Sequence, residues 1–163
     1  MAMTENKYPG ELASPHQIHA LAEEYRKGAH LLLPLGRPGK PLTRAPFRLS
    51  AIHAIELYLT ALLLHRGHDP NQIRKMHHDL AARAKHTVEA GLRLRAKTAN
   101  HLQSLSQNRE YLITRYGPEL AATVSQITRL TATLEEVAAK VTLLIAPSSK
   151  TAPLPNASAV GKA

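Results

Sequence analysis

The segment Phe47 to Arg66 is apolar around almost the whole of a helical wheel, and this run constrains the fold more than any other feature of the chain. Its middle reads Ile52, Ala54, Ile55, Leu57, Tyr58, Leu59, Ala61, Leu62, Leu63 and Leu64, interrupted by His53 and Glu56. A helix without a polar face has to be covered on several sides. The run falls short of the roughly 18 uninterrupted apolar residues of a membrane span, so the cover is expected to come from the same chain. At 163 residues the chain is long enough to bury such a helix within one domain. The expectation is a soluble, all-α bundle of about five helices with the second at its centre.

The other helices are marked by their starts and stops. Ser14-Pro15-His16-Gln17 reads as a capping box with proline at the first helical position, opening a first helix that runs to about Leu33. Pro34 to Pro46 holds four prolines and two glycines. Repeated proline cannot sustain a helix, so this is read as a basic loop, longer than most connections and therefore functional or mobile. The second helix stops at Gly67, and Asp69 to Met76 is a linker or short turn. A third helix is expected from about His78 to Ala90, with Gly91 as its stop. A fourth is expected from about Thr98 to Tyr116. The last and longest is expected from Pro118 to about Ile145, with Leu120, Val124, Ile127, Leu130, Leu134, Val137, Val141 and Leu144 on a near-heptad seam and a length of roughly 40 Å. That seam serves either a homodimer or the bundle's own core. Residues 1–13 are expected to be a flexible N-terminus, 14–146 the helical domain and 147–163 a disordered tail.

Charge narrows the functional classes. The net charge of +9 is concentrated in two segments. Arg37, Lys40, Arg44 and Arg48 stand together without an acid, and Arg66 to Lys97 carries eight bases against Asp69, Asp79 and Glu89. Elsewhere bases and acids balance. Such segments attract phosphate polyanions, or serve solubility alone. The scarcity of aromatics, with no tryptophan and one phenylalanine, argues against a base-stacking platform. The absence of cysteine excludes disulfides, thiol nucleophiles and cysteine-ligated metals. The polar start MAMTENKYPGE lacks an apolar signal core, so a cytoplasmic protein with no membrane association is expected. No glycine-rich phosphate loop and no nucleophile elbow occurs, and no cofactor is expected.

Three segments in order carry a resemblance to a known family. Ala54 to Leu63, with Glu56 inside it, resembles the acidic but otherwise apolar second helix of the HEPN (higher eukaryotes and prokaryotes nucleotide-binding) domains. Met76-His77-His78-Asp79-Leu80 followed by Gly91-Leu92 is similar to that family's "HDL" turn and third helix. Leu102, Leu105, Tyr111, Arg115, Tyr116 and Pro118 resemble its fourth helix. The resemblance covers roughly residues 45–118. It implies a helical bundle that commonly pairs as a homodimer, and a nucleotide- or RNA-linked role such as a toxin–antitoxin or defence pair.

Catalytic members of that family are metal-independent ribonucleases with an arginine followed, four to six residues on, by a histidine. The histidine moves the 2′-hydroxyl proton and the arginine stabilises phosphate charge. Here the matching stretch runs from Arg109 to Tyr116 and holds Thr114 at the histidine position. Threonine does not titrate near neutral pH. Arg48 with His53 and Arg95 with His101 also fit the spacing, the second pair lying in the basic stretch where the fourth helix begins. The leading expectation is a non-catalytic domain binding RNA or a nucleotide-linked partner protein through Arg83, Lys85, Arg93, Arg95, Lys97, His101 and Arg109. The alternatives are a ribonuclease using Arg95 and His101, and a structural protein-interaction module.

Two further groupings carry expectations. Glu56 is expected to form a polar cluster with Arg109 or Arg115, because a buried carboxylate usually pairs with arginine. His16 with His19, His65 with His68, and His77-His78-Asp79 have ligand-type spacing, but two ligands do not close a tetrahedral site. Helix-end capping is the expected role for them, and no metal is expected.

Overall fold

A computed structural model describes residues 6–147. Among them there are seven α-helices and no strand: α1 (Pro15–Leu32), α2 (Ala45–His65), α3 (Pro70–Lys75), α4 (Leu80–Glu89), α5 (Ala96–Gln107), α6 (Glu110–Tyr116) and α7 (Ile127–Ile145). Three short 3₁₀ turns, Leu33–Leu35, Pro41–Arg44 and Pro118–Leu120, join them. The chain is an all-α bundle.

Helix α2 is its centre, as its wheel requires. Ala51, Ala54, Ile55, Tyr58, Leu59, Ala61, Leu62 and Leu63 are fully buried. The combined stretch Pro41–His65 is long and apolar enough to cross a membrane by composition, but two thirds of its apolar window lies inside the bundle, so its cover is protein. Helix α1 lies along α2 through Ala22 and Ala29, both completely buried. Small residues two turns apart let the backbones approach closely. Helix α2 ends in a Schellman motif, in which the His68 amide donates to the Leu63 carbonyl and the Gly67 amide to that of Leu64. Gly67 supplies the positive φ of 86° that this stop requires.

The seam of α7 faces the chain's own core. Leu130, Leu134, Val137 and Val141 are fully buried, packed on α2 and α5, so a homodimer would have to use another surface. Arg26 and His30 of α1 clamp Glu135 of α7, the guanidinium binding the carboxylate through Nε and NH2 at 3.0 and 2.6 Å and His30 Nε2 lying at 2.6 Å.

Three boundaries differ from the sequence reading. The expected Asp69–Met76 linker contains α3, capped by the Asp69 carboxylate on the Asn71 amide at 2.7 Å and seated by buried Ile73. The expected fourth helix is two helices, α5 and α6, broken at Arg109, which adopts the left-handed conformation at φ 51°. The last helix starts at Ile127 and not at Pro118. That makes α7 roughly 28 Å long and leaves α2, with 21 residues against 19, the longest. The reason is tertiary. The amide and hydroxyl of Ser125 bind the Glu110 carboxylate, which takes the chain before Ile127 out of helical conformation. Leu120 and Val124 thus fall outside the seam they were expected to extend.

Of the expected flexible N-terminus, residues 1–5 lie outside the described residues. Tyr8 to Ala13 form turns, the Tyr8 amide donating to Glu11 Oε2 and the Glu11 amide to the Tyr8 carbonyl. The Tyr8 ring lies 4.4 Å below the Arg74 guanidinium. The expected tail, apart from Pro147, lies outside the described residues.

Truncating the core should be costly. Leu62→Ala is expected to lower the unfolding free energy by about 2–5 kcal/mol, measured by urea denaturation. Leu31→Ala, at a side chain that is 80% exposed, is expected to change it by less than about 0.5 kcal/mol.

Candidate functional site

Two networks of enclosed polar groups join helices that are distant along the chain. In the first, Glu56 projects from α2 toward the α3–α4 side. Its carboxylate meets His78 Nδ1 at 3.0 Å and Arg83 NH2 at 3.6 Å. Arg83 is 4% exposed and is held on every side. Its Nε donates to Thr60 Oγ1 at 3.2 Å, NH1 donates to the His77 carbonyl, and NH2 reaches toward the Ile73 carbonyl at 3.4 Å. Burial pulls the Arg83 pKa down from its ordinary value, against the opposing pull of Glu56 and Asp79. The carboxylate partner of Glu56 is therefore Arg83, with His78, and not Arg109 or Arg115. Helical spacing could not show this, because the contact joins α2 to α4. Arg83 also leaves the set of surface cations, since its guanidinium braces the α3–α4 turn. The cluster borders a cavity of about 280 Å³, walled on its other side by Tyr8, Pro9 and Glu11.

The second network lies around His101, which is 6% exposed. Thr133 Oγ1 lies 2.7 Å from its Nδ1, and Ser125 Oγ lies 2.9 Å from its Nε2. The Ser125 hydroxyl donates to Glu110 Oε2 at 3.0 Å and the Ser125 amide to Oε1 at 2.6 Å. Because the serine proton goes to the carboxylate, Ser125 Oγ can only accept from histidine. His101 is thereby assigned as the neutral Nε2–H tautomer, its Nδ1 accepting from Thr133. Arg48 closes the network, with NH1 3.7 Å from Glu110 Oε2 and NH2 donating to the Ser125 carbonyl. Burial, helped by the Arg129 and Arg48 charges, lowers the His101 pKa to about 4.

This arrangement bears directly on catalysis. Serine, histidine and glutamate meet, but the carboxylate holds the serine and a threonine holds the histidine. In a nucleophilic triad the acid orients the imidazole, which in turn takes the serine proton. Here that wiring is absent. Both ring nitrogens of His101 are committed, and Arg95 stands apart from it: the Arg95 guanidinium is exposed, with Nε 3.4 Å from Glu136. The two side chains share no partner. Arg48 and His53 are not a pair either, since Arg48 belongs to Glu110 and the His53 ring packs edge-on against Tyr25 at 4.5 Å. Burial lowers the His53 pKa, opposed by Glu56 and aided by Arg115 and His78. The Thr114 hydroxyl is buried without a hydrogen-bond partner among the described residues.

The remaining cations are placed differently. Lys85 is exposed in the middle of α4, Arg93, Arg95 and Lys97 are exposed at the α4–α5 turn and the start of α5, and Arg109 is exposed at the α5–α6 break. Glu136 accepts from the Arg95 amide and from Lys140, whose ammonium also binds the Arg93 carbonyl at 2.6 Å. This ties the turn to α7. The histidine pairs of the sequence do not converge: His16 packs against His65, His19 against Tyr58, and His68 against His86. No group of three or more metal-ligating side chains forms among the described residues. Asp79 caps α4 on the Ala82 amide at 3.0 Å.

Sequence reading missed Glu110 and Ser125. Neither has a periodic signal, and the flanking Arg109 and Thr114 drew the motif instead. One signal was present: Glu110 is an acid beside the apolar stripe of Leu102, Leu105 and Leu112.

Two measurements test the networks. Removing the guanidinium with Arg83→Ala leaves Glu56 with His78 but frees the Thr60 hydroxyl and the His77 carbonyl, and should cost about 2–3 kcal/mol of stability, read by denaturant unfolding. His101 has a lower pKa folded than unfolded, so the unfolded chain takes up the proton first as pH falls. Its contribution is complete above about pH 6.5 and is lost as pH falls toward 4. Unfolding free energy should drop by roughly 2 kcal/mol from this group between pH 7 and 4.5. His101→Asn should flatten that part of the profile, and an unchanged profile would refute the assignment.

No family model, no curated protein and no solved structure matches the chain.

Proposed function

We propose that the chain is a non-catalytic, HEPN-like domain that binds RNA, or a nucleotide-linked partner protein, through the cations around the α4–α5 turn and at Arg109. A toxin–antitoxin or defence pair is the setting that the resemblance suggests. The observation that carries the reading is a separation. The titratable group a nuclease would need, His101, is enclosed with both nitrogens occupied, whereas Lys85, Arg93, Lys97 and Arg109 are exposed without an acid partner among the described residues. Arg95 alone of that exposed set shares a carboxylate. The surface binds by charge, with phosphate contacts that are insensitive to base identity.

The test is a binding isotherm with a short single-stranded RNA, followed by fluorescence anisotropy. If about four phosphates are neutralised, raising salt from 50 to 200 mM should weaken binding by roughly fiftyfold. Replacing Arg93 and Lys97 together by alanine should reduce the slope of log affinity on log salt by about 1.4 without changing the thermal midpoint. Absence of binding at 50 mM salt would sink the RNA reading. Cleavage of the RNA by purified protein in chelator, lost in His101→Ala, would replace it with the ribonuclease.

A further inference from the structure

A second cationic feature lies apart from the α4–α5 turn. The loop between α1 and α2 was expected to be functional or mobile; it is built of local structure. Arg37-Pro38-Gly39-Lys40 is a β-turn, closed by the Lys40 amide on the Arg37 carbonyl at 3.1 Å. Gly39 has φ 70°, the conformation that the third residue of a Pro-Gly type II turn requires. Thr43 locks the turn from outside: its hydroxyl accepts from the Arg37 amide at 2.8 Å and donates to the Lys40 carbonyl at 2.7 Å. Arg44 is seated across Gly36. A Cβ added there would lie 2.8 Å from Arg44 Cγ and 3.1 Å from its NH1, so the glycine keeps the space through which the guanidinium passes.

These bases face the start of α7 across a shallow hollow of about 470 Å³. Arg37, Lys40, Arg44 and Arg48 line one side, and Ser125 and Thr128 line the other; among the described residues no carboxylate lines it. Helix α7 is 19 residues long and no side chain among the described residues caps its N-terminus, so its first-turn amides and the positive end of its dipole are open to an anion. Arg37, Lys40 and Arg44 have no acid partner among the described residues, whereas Arg48 is already paired. It is 93% buried and borders the hollow from the interior, with NH2 anchored to the Ser125 carbonyl and NH1 turned to the Glu110 carboxylate. That pairing, at 3.7 Å, offsets one of the four cations and leaves three.

We infer that this hollow is a binding site for a phosphate group, gripped by Arg37, Lys40 and Arg44 and seated on the N-terminal amides of α7. The site does not depend on the RNA reading, because it shares no residue with the Lys85–Lys97 surface. Its phosphate comes either from a small soluble phosphate compound or from the backbone or end of RNA.

The experiment titrates inorganic pyrophosphate into the full chain, following backbone amide shifts by NMR. Saturable shifts confined to residues 36–44 and 126–129 are expected. Arg37→Ala combined with Arg44→Ala should weaken the titration at least tenfold. Gly36→Val keeps every charge but displaces Arg44, and should weaken it several-fold. Lys85→Ala with Arg93→Ala removes as much charge elsewhere and should leave it within twofold. Thermal melts confirm that each variant is folded. If RNA and pyrophosphate compete at these amides, the phosphate is that of RNA; if both bind at once, it belongs to a small compound. The inference is overturned if shifts do not saturate, if they spread over Lys85, Arg93 and Lys97, or if the two double variants lose affinity equally.

Discussion

The burial of α2 on all sides is the constraint from which the rest of the architecture follows. A helix with apolar residues around its circumference gains little from packing on one neighbour. It draws α1 along one flank, α7 along another and the shorter α4 and α6 over what remains. Close approach on the α1 side depends on Ala22 and Ala29, and on the α7 side on the buried leucine and valine seam. The polar residues within α2 are then forced to find partners inside the protein. Glu56 takes Arg83 and His78, and Arg48 takes Glu110 and the Ser125 carbonyl.

Those obligatory pairings shape the surface as much as the interior. Glu110 is 1% exposed, reached only because the chain reverses hand at Arg109. A left-handed non-glycine residue costs about 1–2 kcal/mol, and the carboxylate turned inward by it makes two hydrogen bonds to Ser125 and faces Arg48. The same bonds delay the start of α7 to Ile127 and leave its N-terminus uncapped beside the basic loop. A buried carboxylate on one helix thus sets where another begins, and that start lies beside the cations of the α1–α2 loop. The network also takes His101 out of solvent, so the features that favour anion binding and those that disfavour proton transfer have one origin.

Much of the fold was legible because it rests on local chemistry. The capping box at Ser14 and Gln17, the stops at Gly67 and Gly91, and the cap at Asp79 are each written in a few adjacent residues. The candidate site was legible only as a composition. Basic residues between Arg83 and Arg109 look alike in sequence, yet Arg83 is buried against Glu56, Arg95 shares Glu136, and Lys85, Arg93 and Lys97 are exposed. Neither hydropathy nor spacing separates them, since the difference lies in which carboxylates α2 and α7 bring near.

The amino-acid sequence by itself determined the helical class, the centrality of α2 and the concentration of positive charge, because periodicity, breakers and charge are properties of neighbouring residues. Tertiary structure alone decided the partner of Glu56, the neutral tautomer of His101, the break at Arg109 and the late start of α7. Each of these comes from a contact between residues distant along the chain. A buried ionisable group must satisfy its charge and hydrogen bonds wherever the fold places it, even where that overrides the local preference for helix.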